Sequence, residues 1–223
     1  MILLLPPSEG KMPGGEGIWR PSEGAFGAAL GAARRQVIME LPETADQSLK
    51  VRGNTALHAQ EVNRRLKRAP ALIARERYSG VVYQGLDYAT LPAKEKRTAT
   101  NSIVIVSGLM GLARFGDLIP DYRAPMDARL PKSGNLATFW RPHLQQVLEG
   151  LARRHIIVDL LPQVHRAAVD PVGRWLRVDV VDSKGSGGHA AKFAKGRLAR
   201  WLLSHGPYEI ESWRDDNWRA TVR

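Results

Sequence analysis

Short apolar, β-branched runs punctuate this chain, and longer stretches with helical spacing separate them. Ile2–Leu5 and residues 80–83, 103–106 and 156–160 lack the alternation of a half-exposed strand, so they predict strands buried on both faces of a sheet. Residues 54–68 predict a helix with Leu57, Val62 and Leu66 on or near one face and Asn54 or Thr55 as its N-cap. Residues 136–153 predict a second helix, with Phe139, Trp140, Leu144, Val147, Leu148 and Leu151 inward and a bend near Pro142. The turn residues Pro171-Val172-Gly173, followed by Leu176, Val178 and Val180 alternating with Arg177 and Asp179, predict an antiparallel hairpin within residues 166–182. A Gly-rich loop then leads into a helix over about residues 188–205, and a last strand is expected within 213–222. No repeat and no change in composition marks a linker, so residues 1–223 predict a single compact mixed α/β domain.

Composition narrows the chemistry. With no cysteine, thiolate metal sites, iron–sulfur clusters, cysteine nucleophiles and disulfide frameworks are excluded. The apolar N-terminal run stops at Pro6-Pro7, too short for a signal peptide or a membrane span, so a cytoplasmic protein without a membrane partner is expected. The net charge of +11 divides as +5 over residues 1–111 and +6 over 112–223, so no basic tail accounts for it. A field spread over the folded body suits a polyanion or a phosphorylated metabolite.

Four segments carry candidate chemistry. The loop Pro6-Pro7-Ser8-Glu9-Gly10-Lys11 leaves the first strand with a hydroxyl, a carboxylate and an ammonium. It lacks the spacing of a phosphate-binding Walker loop, and Gly10 with the prolines argues against the helical turn that an S-x-x-K nucleophile needs. The run Ser107-Gly108-Leu109-Met110-Gly111 turns sharply after a strand, like the phosphate-gripping hairpin between two DNA-binding helices or a plain strand-to-helix turn. Asp117, Asp121 and Asp127 lie close in sequence with Arg123 and Arg129 among them, a pattern of structural ion pairs before it is one of magnesium ligands. Residues 183–208 hold no acid, while Lys184, Lys192, Lys195, Arg197 and Arg200 are basic and follow a Gly-rich, phosphate-friendly loop. The six histidines show no metal-binding spacing, so neither metal nor cofactor is read from the sequence.

In chain order, Leu5-Pro6-Pro7-Ser8-Glu9-Gly10-Lys11, Val82-Tyr83-Gln84-Gly85-Leu86, Ser107 to Gly111, Tyr122-Arg123 with Met126 and Arg129-Leu130, Phe139-Trp140, and Lys195-Gly196-Arg197-Leu198 resemble the YaaA family of peroxide stress proteins along nearly the whole chain. The resemblance implies a cantaloupe-like α/β fold with a positively charged cleft and a helix-hairpin-helix-like element. It also implies DNA binding and protection against hydrogen peroxide with lowered free iron. The sequence differs from the family pattern at Leu161 to His165, at Ala190-Ala191-Lys192, and at Pro125 and Asp127 around Met126, where polar cleft groups are replaced.

Two molecular roles follow. In the first, a DNA-binding stress protein contacts phosphates through Arg123, Lys192, Lys195, Arg197 and the amides of Gly108 to Gly111. In the second, a diverged enzyme acts on a small anionic or nucleobase-like metabolite, of the kind found in specialised biosynthesis, with Ser8, Glu9, Lys11, Tyr83, Arg123 and Lys195 converging on one pocket. A protein acting only through interactions is the third and blander alternative. A closed, ligand-sized pocket would favour the enzyme and an open basic groove the DNA binder.

Overall fold

The computed structural model describes residues 1–182 and 188–223, so Ser183 to Gly187, most of the Gly-rich loop, lie outside the described residues. The elements run β1 (Ile2–Leu5), α1 (Gly27–Glu40), α2 (Asp46–Leu49), α3 (Gly53–Arg64), β2 (Leu72–Ile73), α4 (Ala74–Arg77), α5 (Val81–Leu86) and α6 (Ala93–Ser102). They continue with β3 (Ile103–Ser107), β4 (Gly111–Arg114), β5 (Leu118–Ile119), β6 (Arg129–Leu130), β7 (Gly134–Asn135), α7 (Leu136–Ala152), β8 (Ile157–Asp159) and α8 (Gln163–Arg166). The last are β9 (Trp175–Asp182), α9 (His189–His205), β10 (Arg214–Asp215) and β11 (Trp218–Val222).

The main sheet has the order β10-β11-β9-β8-β1-β3-β4. Its middle strands β9, β8, β1 and β3 are parallel, β4 adds an antiparallel edge on one side, and β11 and then β10 add antiparallel strands on the other. Strand β1 is central: Leu3 pairs with Ile103 on one side and Val158 on the other. All four of its residues are buried, as the unbroken apolar runs of this sheet require. The chain goes from β1 to β3 on one side and later fills the other side with β8. The loops after β1 and β8 therefore diverge, and a crevice opens at the carboxyl ends of the parallel strands, where open α/β sheets bind ligands.

Three expectations change. Residues 81–86 are helix α5 rather than a strand, because this apolar run docks on α9 instead of joining the sheet. The helices cross where both carry glycine: a Cβ on Gly85 would stand 2.2 Å from the Phe193 carbonyl oxygen, and one on Gly196 2.1 Å from that of Val82. In α3 the inward residues are Ala56, Ala59 and Asn63, followed by Leu66, whereas Leu57 is exposed and the N-cap is Arg52. Strand β9 forms over Trp175–Asp182 with Val178 alone fully buried, and in place of the expected local hairpin its pairs are β8 in parallel and β11 antiparallel.

The Ser107 to Gly111 segment is also not a hairpin between helices. It closes the β3–β4 hairpin, with Ser107 opposite Gly111, and Leu109 and Met110 are fully buried. Trp140 of α7 covers it, donating Nε1–H to the Gly108 carbonyl at 2.8 Å. At φ +64° a side chain on Gly111 would strike that indole, so both glycines serve packing and Gly108 and Gly111 offer no surface amides to a phosphate.

Candidate functional site

The crevice holds a cleft of about 210 Å³ lined by Ser8, Glu9, Lys11, Tyr122, Arg123 and His165, with Pro7, Met126 and Val164 supplying apolar surface. The loop after β1 is held by backbone and buried cation together. Met12 N–H donates to the Arg77 carbonyl at 2.8 Å, and the buried Arg77 guanidinium donates to the carbonyls of Met12 (2.5 Å), Gly14 (2.9 Å) and Pro70 (3.2 Å). Ser8 is buried and committed: its hydroxyl accepts from Gly80 N–H at 2.7 Å and donates to the Gly10 carbonyl. It fastens the loop in place of acting as a free nucleophile.

Lys11 brings its ammonium 4.3 Å from the Tyr122 ring centroid, a cation–π distance. Burial pushes that ammonium down to about 8, against the pull of Asp121 and Glu9 and with the help of Arg123 and Arg77. Tyr122 is fixed from behind, its hydroxyl 2.7 Å from that of Tyr78 and 2.6 Å from Ser107 Oγ, and burial raises its phenol to about 12. Arg123 anchors its backbone on Asn63, donates Nε–H to the Leu49 carbonyl at 3.2 Å, and reaches the exposed Glu9 at 3.4 Å. Asp127 pairs with Lys50 at the rim.

Of the residues expected to converge, Ser8, Glu9, Lys11 and Arg123 line this cleft. Tyr83 stands behind it, donating its hydroxyl to the Pro6 carbonyl at 2.7 Å and stacking on Tyr78. Lys195 does not line the cleft; it lies within electrostatic reach of His165, Arg166, Asp159 and Asp179, and burial pushes its ammonium down to about 8. The remaining cations disperse. Lys192 is exposed on α9, and Arg197 pairs with Asp215 at 2.7 Å in a separate groove of about 590 Å³ between α5, α9 and β10. The clustered acids diverge too: Asp117 accepts from the backbone of Ala25 and Arg114, and Asp121 meets His58 at 3.5 Å.

Sequence reasoning met His165 only as the end of the segment that departs from the family pattern, and did not single out Arg77. A lone histidine without spacing partners and one arginine among many carry no local signal; α8, which follows β8, brings His165 to the cleft wall, and α4 brings Arg77 to the carbonyls of the loop after β1.

The description "Peroxide stress protein YaaA" belongs to the family whose profile matches residues 1–220 of this chain. The chain belongs to the YaaA family of peroxide stress proteins. A UPF0246 protein of Streptomyces coelicolor is 36% identical over 233 aligned residues, covering 96% of this chain and 90% of that protein. A UPF0246 protein of Corynebacterium glutamicum is 35% identical, covering 91% and 84%, and one from Idiomarina loihiensis is 31% identical, covering 74% and 69%. The YaaA-family match thus spans both flanks of the cleft, the loop after β1 and the loop after β8. Among the described residues, no helix is long and apolar enough to cross a membrane.

Proposed function

We propose that the protein serves the peroxide stress response by binding a small, oxyanion-bearing metabolite in the cleft at the carboxyl ends of β1 and β8. The observation that carries this reading is the convergence of the Lys11 ammonium and the Arg123 guanidinium at the crevice between two diverging loops. The cleft is smaller than a typical drug-sized pocket, so it suits a compact anion or the anionic end of a larger molecule. A lysine whose ammonium is held near 8 both attracts an oxyanion and exchanges a proton close to neutrality, the behaviour an acid–base catalyst needs.

Lys11→Met is expected to weaken binding of inorganic phosphate or a small phosphorylated metabolite by about 10- to 100-fold in calorimetric titration, the value of a charged hydrogen bond. Because the ammonium is the binding form, affinity is expected to fall as pH rises through about 8, approaching about tenfold per unit beyond it. Lys11→Arg should bind without that pH dependence. Equal affinity of the wild type and Lys11→Met would end this reading.

Nucleic-acid binding is the second reading, favoured by the net charge of +11 and by exposed cations at Lys192 and at Arg64, Arg65, Lys67 and Arg68. It requires duplex affinity that declines steeply with salt in filter binding and is untouched by Lys11→Met. Duplex binding absent at every salt concentration rules it out.

A further inference from the structure

We infer that His165 is a neutral hydrogen-bond donor to the cleft ligand, presenting its Nε2–H from the β8 side. The inference rests on the anion reading and supplies a polar contact that the loop after β1 cannot make.

The tautomer follows from satisfaction of the ring nitrogens. His165 is part of the cleft wall, but its Nδ1 is closed off from solvent and has no hydrogen-bond partner among the described residues. A neutral imidazole has one donor and one acceptor nitrogen. An unpartnered, sealed N–H is rarer and costlier than an unpartnered lone pair, so the proton belongs on Nε2 and the lone pair on Nδ1. Protonating the ring fully would place an N–H in the sealed position and add a cation beside Lys195. Burial, assisted by Lys195 and opposed by Asp127, holds the imidazolium down to about 4. A neutral donor polarises or binds an oxygen without adding to the positive charge already supplied by Lys11 and Arg123.

The backbone that carries the ring is also held in place. Its backbone N–H donates to the Pro162 carbonyl at 2.9 Å. The next residue, Arg166, is locked by Asp159 at 3.0 Å, Asp179 at 2.8 Å and the Val178 carbonyl at 3.1 Å. Burial would push the Asp179 carboxyl up, but Arg166, with Arg223 and Arg177, outweighs it and holds it below the usual range, keeping the clamp charged. The ligand class this predicts is a small phosphate- or carboxylate-bearing molecule with one oxygen accepting from Lys11 and another from His165.

Inorganic phosphate is the probe. His165→Gln, whose amide nitrogen reaches the Nε2 position, is expected to bind within about threefold of wild type. His165→Phe, and His165→Asn, whose amide falls at the Nδ1 position, should lose about 3- to 10-fold, the value of one neutral hydrogen bond. Thermal melts establish that the variants are folded. The unaltered protein gives an independent readout: long-range ¹H–¹⁵N spectra should show the neutral Nε2–H tautomer of His165 down to about pH 5, with Nε2 shifting on addition of phosphate. An Nδ1–H tautomer or an imidazolium at pH 7 would overturn the inference. So would unchanged affinity in His165→Phe alongside loss in Lys11→Met, which leaves the anion reading standing. Absence of phosphate binding by the wild type would defeat both.

Discussion

Arg34→Ala is expected to lower the free energy of unfolding by about 3–5 kcal/mol, a large share of the 5–15 kcal/mol that a domain commands. Arg34 is fully buried in α1 and donates to four carbonyls: Met110 at 3.0 Å, Leu112 at 2.8 Å, and Pro21 and Glu23 at 2.9 Å each. One guanidinium thus joins the helix to the β3–β4 hairpin and to the segment preceding α1. Burial lowers it to about 10, still far enough above neutrality that it stays charged, with Asp117 opposing the shift. Alanine would leave those carbonyls without a donor and leave a cavity around them. Lysine would recover little, since a point charge cannot reach four acceptors arranged around a planar fork. The comparison is Arg35→Ala, one residue on and exposed, which should change stability by no more than about 0.5 kcal/mol in the same urea titration. Equal midpoints for the two variants would refute the assignment.

The second large effect is expected at the crossing of α5 and α9. Gly196→Leu should fail to give a stably folded protein, and Gly196→Ala should lose about 1–3 kcal/mol. The new Cβ would meet backbone atoms of Val82, Gly85 and Leu86, none of which can move aside as a flexible side chain does. The helices would have to separate, and α5 carries Tyr83, whose hydroxyl holds Pro6 at the root of the Lys11 loop. Gly196→Ala should therefore also weaken phosphate binding. Gly150→Ala supplies the opposite sign: this glycine sits within α7 with open space around its Cβ position, so alanine should stabilise by about 0.5–1 kcal/mol. A loss at Gly150 equal to that at Gly196 would show that the close crossing is not the cause.

The strands at β1, β3 and β8 were legible in the sequence because unbroken Ile, Val and Leu runs are what a doubly covered parallel strand requires. The same signal misled at Val81-Val82-Tyr83, where a short apolar run looks alike whether it enters a sheet or docks a helix by two glycines. Within α3 the eye falls on Leu57, yet smaller residues, Ala56 and Ala59, take the inner face and leave it exposed. The Ser8-Glu9-Gly10-Lys11 loop was recognisable by its content, and Arg123 by its neighbours. His165 was not, because its meaning comes from a sealed nitrogen and a cleft wall built by residues some 150 positions away. The buried cations Arg34 and Arg77 were hidden by abundance: in a chain this rich in arginine, nothing local separates an interior guanidinium from a solvated one.

Strand β1 sits at the middle of the sheet, but its partners lie at Ile103 to Ile105 and Ile157 to Asp159. During synthesis at about 5–20 residues per second, roughly 8–30 s separate the emergence of Ile2–Leu5 from that of β8. Throughout that interval this fully apolar strand has at most one of its two neighbours. The nascent chain therefore carries an apolar strand whose second edge has no partner until about seven-tenths of the polypeptide exists, so the sheet is completed late.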